Sequence, residues 1–520
     1  MMKIGIDLDN TIINYKNAFR IGARKLNYLI EDEITTKNLI KSKLIQQENG
    51  QYKWERLQGM VYGEWIAEAK LYPGFLRFLK RALIRGSKIY IVSHKTEYGH
   101  NSNNKISLRK SAVNFLTSHG VNTSNNSKLE IYFLNSKEEK INKINELNLK
   151  VFIDDLPEIL LNKNLEKKVE KILFDPEVFQ RLEEIRCANN WDDISQYLFD
   201  EFSETEIIEF AQKNYNSRIS YVKKINSGKN AKTFLVSEEN NQKTVLKFYP
   251  ADDSHNRLKS ESESLKFLKN NGFENIPEFI TSSERYELGI YSLLVGDKSQ
   301  DNDLLMLEMI KFVSNLEHLS HGINLKRFTR ASAACYNIED TKIQILDRFR
   351  KINFCSTSEI EKFLWVIQKS INFELERLES RINANKSYQF KHKLFLSPSD
   401  FGKHNVLTTE NGKVSFLDFE YFGLDDPAKF ICDVALHPGS NWGGRRKKKW
   451  FDAMSGIFSK EVLERTSLLL PLYTLNWVLI MLNGYVKNRI FYPAGTKISS
   501  RQLGKATQFF RNNYLLPKPQ

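Results

Sequence analysis

The sequence predicts two α/β units in tandem. The first is a parallel sheet with helices on both faces; the second is a small β-rich lobe followed by a large helical lobe. Three observations carry this. Short apolar runs alternate with helical patterns from Lys3 to Phe174, the arrangement that builds βαβ crossovers and hence a parallel sheet. Near residue 200 the texture changes to strand-like pieces joined by polar turns. Beyond residue 300 the pattern is mainly helical, broken by one strand–loop–strand element between Leu394 and Phe419.

In chain order, Lys3 to Leu8 reads as a buried strand, an apolar run ended by polar residues. From Thr11 to about Leu71 the pattern is mostly helical with no clear strand. Pro73-Gly74 is a turn, followed by a helix through Leu83. Strands follow at Lys88–Val92, Ile131–Leu134, Val151–Ile153 and Lys171–Phe174, with helices at Leu108–His119 and Glu138–Leu147 between them. An acidic helix carries Asp200, Glu201, Glu204, Glu206 and Glu209. Then come strands at Ile219–Ile225, Thr233–Val236 and Thr244–Tyr249 and a helix at Leu258–Leu268. The boundaries are a first unit of 1–200, with a helical insert at about 14–71, and a second of 201–520, split into a small lobe at about 205–300 and a large one at about 301–520.

Composition narrows the function classes. With 41% hydrophobic and 27% charged residues, the 520-residue chain has an ordinary globular balance. The formal net charge of +14 suits anionic partners. The charge is dispersed, and no basic region is interleaved with aromatics as a base-stacking platform would be, which argues against nucleic acid. The densest run, Arg445 to Lys449, reads as a solvated loop. Cys187, Cys335, Cys355 and Cys432 form no C-x-x-C pair, so free thiols in a reducing compartment are expected. The apolar stretch Leu468 to Leu482 contains Pro471, Tyr473, Thr474 and Asn476 and falls short of the ~20 residues of a spanning helix. It reads as a buried helix, with no membrane partner and a cytoplasmic address expected.

The first chemical constellation sits on strand ends. Asp7-Leu8-Asp9-Asn10-Thr11 follows the first strand, Ser93 ends the second and Asp154-Asp155 ends a later one. Ligands of a parallel sheet gather at the carboxyl ends of its strands, so three polar strand ends share one cleft. A carboxylate there can attack phosphorus, a second can move the proton, and further aspartates suit Mg2+. The D-x-D-x-T string, the Ser and the paired aspartates resemble the haloacid-dehalogenase superfamily of phosphatases. That resemblance implies a Rossmann-like sheet over about residues 1–195, with the helical insert as a cap. It implies Asp7 as nucleophile and metal ligand, Asp9 as general acid/base and a further metal ligand, Ser93 as a phosphoryl contact, and Asp154 and Asp155 as the rest of the Mg2+ site. The charge-neutralising lysine is Lys140, with Lys137 as alternative. His94 and Lys95 follow Ser93 and read equally as substrate contacts or solvent-exposed loop residues.

The second constellation lies beyond residue 205. Lys247 is an inward lysine on a strand, and such a lysine needs a partner; Glu261 is preferred over Glu263. Gly228 sits in a turn between two strands that would cover a triphosphate. Asp400 and Asn405 share one loop, and Asp418 ends a strand. An Asp base, a metal-binding Asn and a metal-binding Asp are the parts of ATP-dependent phosphorylation. These residues resemble the aminoglycoside phosphotransferase and choline kinase-like superfamily, which implies a two-lobed, protein-kinase-like α+β fold. By that resemblance Lys247 and Gly228 contact ATP, Glu261 positions Lys247, Asp400 is the base, and Asn405 and Asp418 hold Mg2+. The family often carries His two residues before the base; here that residue is Pro398. Asp425, Asp426 and Asp433 either line the acceptor pocket or cap helices.

The combined expectation is a bifunctional phosphatase and ATP-dependent small-molecule kinase using Mg2+ and ATP, whose partners are a nucleotide and a phosphorylated small molecule. A sugar or polyol phosphate of surface-polysaccharide metabolism is the leading substrate class. One active unit with a regulatory partner unit, and a nucleic-acid end-processing enzyme, are the alternatives.

Overall fold

The computed structural model describes the chain apart from residues 29–35, 100–105, 123–126, 178–184, 213–217, 227–230, 252–254, 299–302, 355–357, 385–392, 492–499 and 516–520. The first strand, β1 (Lys3–Ile6), lies at the centre of a six-stranded sheet. The helical insert that follows is closed at its base by β2 (Ile13–Asn14) and β3 (Lys70–Leu71), paired antiparallel. This short ladder corrects the expectation of no strand in that stretch. Between its two strands lie α1 (Lys16–Lys25), α2 (Lys37–Ile45) and α3 (Gly50–Tyr62). Next come α4 (Phe75–Ile84), β4 (Lys88–His94), α5 (Leu108–Ser118), β5 (Leu129–Leu134), α6 (Lys137–Glu146), β6 (Val151–Asp154), α7 (Pro157–Leu160), β7 (Glu170–Phe174), β8 (Arg186–Ala188) and α8 (Trp191–Phe199).

The sheet order is β5-β4-β1-β6-β7-β8, with every neighbouring pair parallel. Side chains alternate across it, as a period of two requires. Ile4, Ile6, Ile89, Ile91 and Ile153 enter one core, and Tyr90, Val92, Phe152 and Leu173 enter a second core on the opposite face. Gly5 belongs to that second face. A Cβ there would stand 2.3 Å from Leu149 and 2.7 Å from Phe152, so only glycine lets β1 pack where it does.

The second half begins with α9 (Glu204–Gln212) and an antiparallel sheet of β9 (Ile219–Asn226), β10 (Lys232–Glu238), β11 (Lys243–Phe248), β12 (Phe279–Ser283) and β13 (Leu288–Ser292), ordered β12-β13-β11-β10-β9. Helix α10 (Arg257–Asn270) connects β11 to β12. After β14 (Asp297–Lys298) come α11 (Asp303–His321), α12 (Ile338–Phe354) and α13 (Ser358–Ala384). The strand–loop–strand region holds β15 (Phe395–Ser397), β16 (Val406–Thr408), β17 (Val414–Phe416) and β18 (Gly423–Asp425). The chain then runs through α14 (Pro427–Leu436), α15 (Gly444–Ser455), α16 (Lys460–Phe491) and α17 (Ser500–Phe510). A β-rich lobe followed by a helical one is thus the observed outline.

On length and composition alone, Lys460–Gly484 of α16 would cross a membrane. Here Leu469, Leu472, Leu475, Val478, Leu479 and Leu482 are buried in a core shared with α12, α13 and α17, so the apolar stretch is a core helix. The basic run Arg445 to Lys449 lies in the first turns of α15 and is not a loop. Cys187, Cys335 and Cys432 are free thiols, and Cys355 lies outside the described residues.

The two halves meet through an arginine stripe. Arg77 and Arg81 lie one helical turn apart on α4, and Arg85 follows at its end. Arg77 donates to the carbonyls of Tyr249 (2.7 Å) and Tyr286 (3.1 Å) and pairs with Asp192 of α8. Asp192 in turn accepts from the Ala251 amide at 2.7 Å. Arg81 and Arg85 both pair with Glu206 of α9, at 2.9 and 2.8 Å. Glu206 is 0% and Arg81 1% exposed. Removing one partner of such a buried pair strands the other charge, which costs about 3–5 kcal/mol. Glu206→Ala is therefore expected to destabilise the protein by about that amount in urea melts. An unchanged midpoint would mean that the arginines find other partners.

Candidate active sites

Asp7 follows β1 directly, and its amide donates to the Ile153 carbonyl at 2.8 Å, so it continues the sheet into the cleft. The ammonium of Lys140, in the first turn of α6, stands 2.6 Å from Asp7 Oδ1 and 2.6 Å from Asp154 Oδ2. Asp155 completes the cluster: one oxygen from each of Asp7, Asp154 and Asp155 lies within 4.8 Å of the others. Lys140 is 1% exposed. Lys137 has a side chain 44% exposed and pairs with Glu158 at 2.6 Å, so of the two candidate lysines Lys140 is the one between the aspartates. Ser93 is buried at the end of β4 and lines the same cavity.

Asp9 occupies a separate station. Lys95 donates to both its oxygens, at 2.9 and 2.7 Å, and the Tyr15 hydroxyl donates at 2.8 Å. Lys95 is thus buried against Asp9, which removes the solvent-exposed alternative of its two sequence readings. His94 is the exposed one, with Nε2 3.0 Å from the Asn135 carbonyl. The cavity measures about 770 Å³ and is walled by Asp7, Asp9, Ser93 and Asp155 below and by Lys37, Gln58 and Tyr62 of the insert above. Burial pushes the Asp7 carboxyl up to about 7, reinforced by Asp154 and Asp9 and opposed by Lys140. Burial pulls the Lys140 ammonium down, but Asp154 and Asp7 more than offset it and hold it above the ordinary lysine range.

The second group centres on Lys247 of β11. Its ammonium is 2.7 Å from Glu261 of α10, 2.5 Å from Asp418 and 3.0 Å from Glu420. Glu261 is further fixed by the Tyr249 hydroxyl (2.5 Å) and the Phe419 amide (3.3 Å). Glu263 is exposed and faces Lys259 at 3.8 Å, so Glu261 is the partner of Lys247. Burial pushes the Asp418 carboxyl up to about 7; Glu420 and Glu261 add to this and Lys247 opposes it.

Asp400 lies just past β15. His437 Nε2 stands 3.1 Å from Oδ1, and His404 Nε2 3.3 Å from Oδ2, with the two imidazoles stacked 4.7 Å apart. Burial alone would raise the Asp400 carboxyl, but these two imidazoles hold it well below the usual range. The Asn405 amide donates to the Asp400 carbonyl at 3.0 Å, and the Asn405 carbonyl accepts from the Leu417 amide at 2.8 Å. That backbone path joins the Asp400 loop to Asp418. Gly228 lies outside the described residues.

Asp425, Asp426 and Asp433 resolve to scaffold. Asp425 and Asp433 share the buried Lys429 at 2.9 and 2.8 Å. Asp426 caps α14 through the Ala428 amide and pairs with buried Arg465.

The residues missed from sequence are Tyr15, Glu420, Tyr249, His404 and His437. The sequence offered Lys95 only as a substrate contact or loop residue, with no sign of its pairing to Asp9, and His437 is 37 residues from Asp400. Glu420, two residues after Asp418, was the one with a signal, since alternate residues after a strand tend to face the same cleft. The Asp7–Asp154–Asp155 and Glu261–Asp418–Glu420 clusters are all-oxygen donor sets, which fit Mg2+ in preference to a thiophilic metal.

No family model matches the chain, and no curated protein is similar to it. Solved structures do show similarity. Spectinomycin phosphotransferase, in complex with ADP and spectinomycin, is 13% identical over 59% of this chain and 94% of its own, with a TM-score of 0.42. An amicoumacin kinase bound to AMP-PNP, Ca2+ and its antibiotic is 13% identical over 59% of this chain and 92% of its own, with a TM-score of 0.44. The ethanolamine kinase of Plasmodium vivax is 16% identical over 63% and 88%, with a TM-score of 0.40.

Proposed function

We propose that the chain is a bifunctional enzyme, a Mg2+-dependent phosphomonoester phosphatase in residues 1–200 and an ATP-dependent small-molecule kinase in residues 201–520. The observation that carries this reading is common to both halves: a buried lysine bridges carboxylates from separate elements. Lys140 lies between Asp7 and Asp154, and Lys247 between Glu261 and Asp418.

In the phosphatase, an Asp7 oxygen attacks phosphorus and forms an aspartyl-phosphate while the ester oxygen leaves. Asp9 gives that oxygen a proton and then takes one from the water that hydrolyses the intermediate. Lys95 and Tyr15 hold the Asp9 carboxylate for this role. Ser93 and Lys140 contact the phosphoryl group. Asp154 and Asp155 join Asp7 as Mg2+ ligands, and the ion supplies charge neutralisation. In the kinase, Asp400 accepts the proton of the acceptor hydroxyl as it attacks the γ-phosphorus of ATP, while the bond from that phosphorus to the bridging oxygen breaks and ADP leaves. Lys247, positioned by Glu261, binds the α/β-phosphates. Asn405 and Asp418 hold the metal that neutralises the phosphates.

Two such activities on one hydroxyl would cancel. On different positions of one metabolite they relocate a phosphate, which suits a sugar or polyol phosphate in surface-polysaccharide metabolism. A second reading, in which one half regulates the other, is favoured by one observation. Arg77 bonds the Tyr249 carbonyl, and the Tyr249 hydroxyl bonds Glu261 beside Lys247.

Asp7→Asn is expected to abolish hydrolysis of a generic phosphomonoester, and Asp9→Asn to slow it by about 10²–10⁴-fold. Wild-type turnover by Asp7→Asn would end the phosphatase assignment. Both activities are expected to vanish on EDTA treatment and return with Mg2+; recovery by Zn2+ with Mg2+ inert would contradict the oxygen-ligand reading. Asp400→Ala is expected to remove ATP-dependent phosphorylation, and Lys247→Ala to weaken it. Neither should alter phosphomonoester hydrolysis, since distant sites with no shared partner behave additively. Loss of hydrolysis in folded Asp400→Ala would favour the regulatory reading.

A further inference from the structure

Four of the lysines around the Asp7 cavity are matched by carboxylates. Lys140 is held by Asp7 and Asp154, Lys95 by Asp9, Lys137 by Glu158, and Lys16 at the rim stands 3.9 Å from Glu177. Lys37, at the start of α2 in the roof, differs. Among the described residues no carboxylate lies within ion-pair distance of its ammonium. Its hydrogen bond goes to the Tyr62 hydroxyl at 3.0 Å, and its ammonium stands 5.4 Å from the Phe19 ring centroid and 5.7 Å from that of Tyr62. The carboxylates that act on it most are Asp155 and Asp9, across the cavity. Its surroundings hold the ammonium charged despite its burial, while its one hydrogen bond, to a phenol, leaves donors for an anion in the cavity. The space it faces is about 770 Å³, well beyond the needs of one phosphoryl group, and the floor residues already serve that group.

We infer that Lys37, with Tyr62, forms a subsite for a second anionic group on the leaving part of the phosphatase substrate, so that the substrate class is a phosphomonoester bearing a further phosphate or carboxylate. This rests on the phosphatase reading of the Asp7 site. A bisphosphate, the product that phosphorylation of a sugar or polyol phosphate yields, belongs to this class. Lys37 touches the leaving group and takes no part in the transfer; its ammonium donates a charge-assisted hydrogen bond to the second anion.

The test uses the full chain with Mg2+ and three substrates that differ only at the para position: phenyl phosphate, 4-carboxyphenyl phosphate and 1,4-phenylene bisphosphate. Lys37→Met keeps the apolar stem against Phe19 and Tyr62, and a thermal melt checks that it folds. Lys37→Met is expected to lower kcat/KM for one or both doubly anionic substrates by about 10- to 100-fold, mainly through KM, the worth of one hydrogen bond to a charged group. Phenyl phosphate should change by less than about threefold, within the scatter of a surface substitution. Lys37→Arg should recover part of the loss. The arm that responds identifies the second anion as carboxylate or phosphate. An equal loss on all three substrates would overturn the proposal by placing Lys37 on the scissile phosphoryl group, and no loss on any would overturn it outright. If wild type hydrolyses none of the three, or Asp7→Asn hydrolyses them equally well, the phosphatase reading fails and the proposal with it.

Discussion

Lys140 is almost wholly withdrawn from water, and an ammonium in that position is tolerable only with carboxylates against it. Its two partners come from β1 and β6, and Lys140 itself from α6, so one charge requirement fixes the relative placement of three elements across 133 residues of chain. The same requirement recurs at Lys247, whose partners Glu261 and Asp418 lie on α10 and beyond β17, the latter 171 residues away. In each half the geometry of the candidate site is thus a by-product of satisfying one buried cation. Everything else in the site, from the Tyr249 hydroxyl on Glu261 to the Leu156 amide on Asp154 Oδ1 at 2.9 Å, tightens a frame that the lysine has already set.

The arginine stripe of α4 applies the same rule between the halves. Arg77 and Arg81 are buried because the small lobe covers them, and their donors are taken up by carbonyls and carboxylates from beyond residue 190. The first half keeps Asp192 for Arg77 and the Ser195 hydroxyl for Arg81, but the carboxylate of Arg81 belongs to the second half. Separating it near residue 200 would take Glu206 from Arg81 and the Tyr249 and Tyr286 carbonyls from Arg77. Guanidinium suits this role because its planar fork serves several acceptors at once.

The parallel sheet was legible because its strands are uninterrupted apolar runs ended by polar residues, and the strand ends named Asp7, Ser93, Asp154 and Asp155 directly. Lys247, Asp400 and Asp418 were legible for a similar reason, each lying in or just after an apolar strand, and Asn405 was legible from its place in the loop before β16. What the sequence hid depended on folding at a distance. Glu206 sits in an acidic helix that looks solvated until the arginines of α4 are brought to it. Lys95 reads as a loop residue until Asp9 meets it. His437 carries no local signal; only the packing of α14 beside the Asp400 loop brings its ring to the Asp400 carboxylate. The run Arg445 to Lys449 misleads in the other direction, since local charge density says loop while the tertiary packing of Trp450 and Met454 makes a helix.

Charge balance explains why both carboxylate clusters suit a divalent cation. Asp7, Asp154 and Asp155 surround one ammonium, and so do Glu261, Asp418 and Glu420, although Arg257 also reaches Glu420 at 3.1 Å. Each cluster is therefore short of positive charge. The shortfall is visible in Asp7 and Asp418, each pushed up to about 7 by burial and neighbouring carboxylates despite a lysine in contact. A raised carboxyl is a site that would ionise fully if a further cation arrived. Oxygen donors, a net negative cluster and a strand-end cleft open to an anionic ligand are the conditions under which Mg2+ bridges protein and phosphate. The Asp400 loop differs in its donors: two imidazoles, His404 and His437, hold its carboxylate well below the usual range, and one atom from each of the three residues lies within 4.8 Å of the others, so a mixed nitrogen and oxygen set contrasts with the all-oxygen clusters.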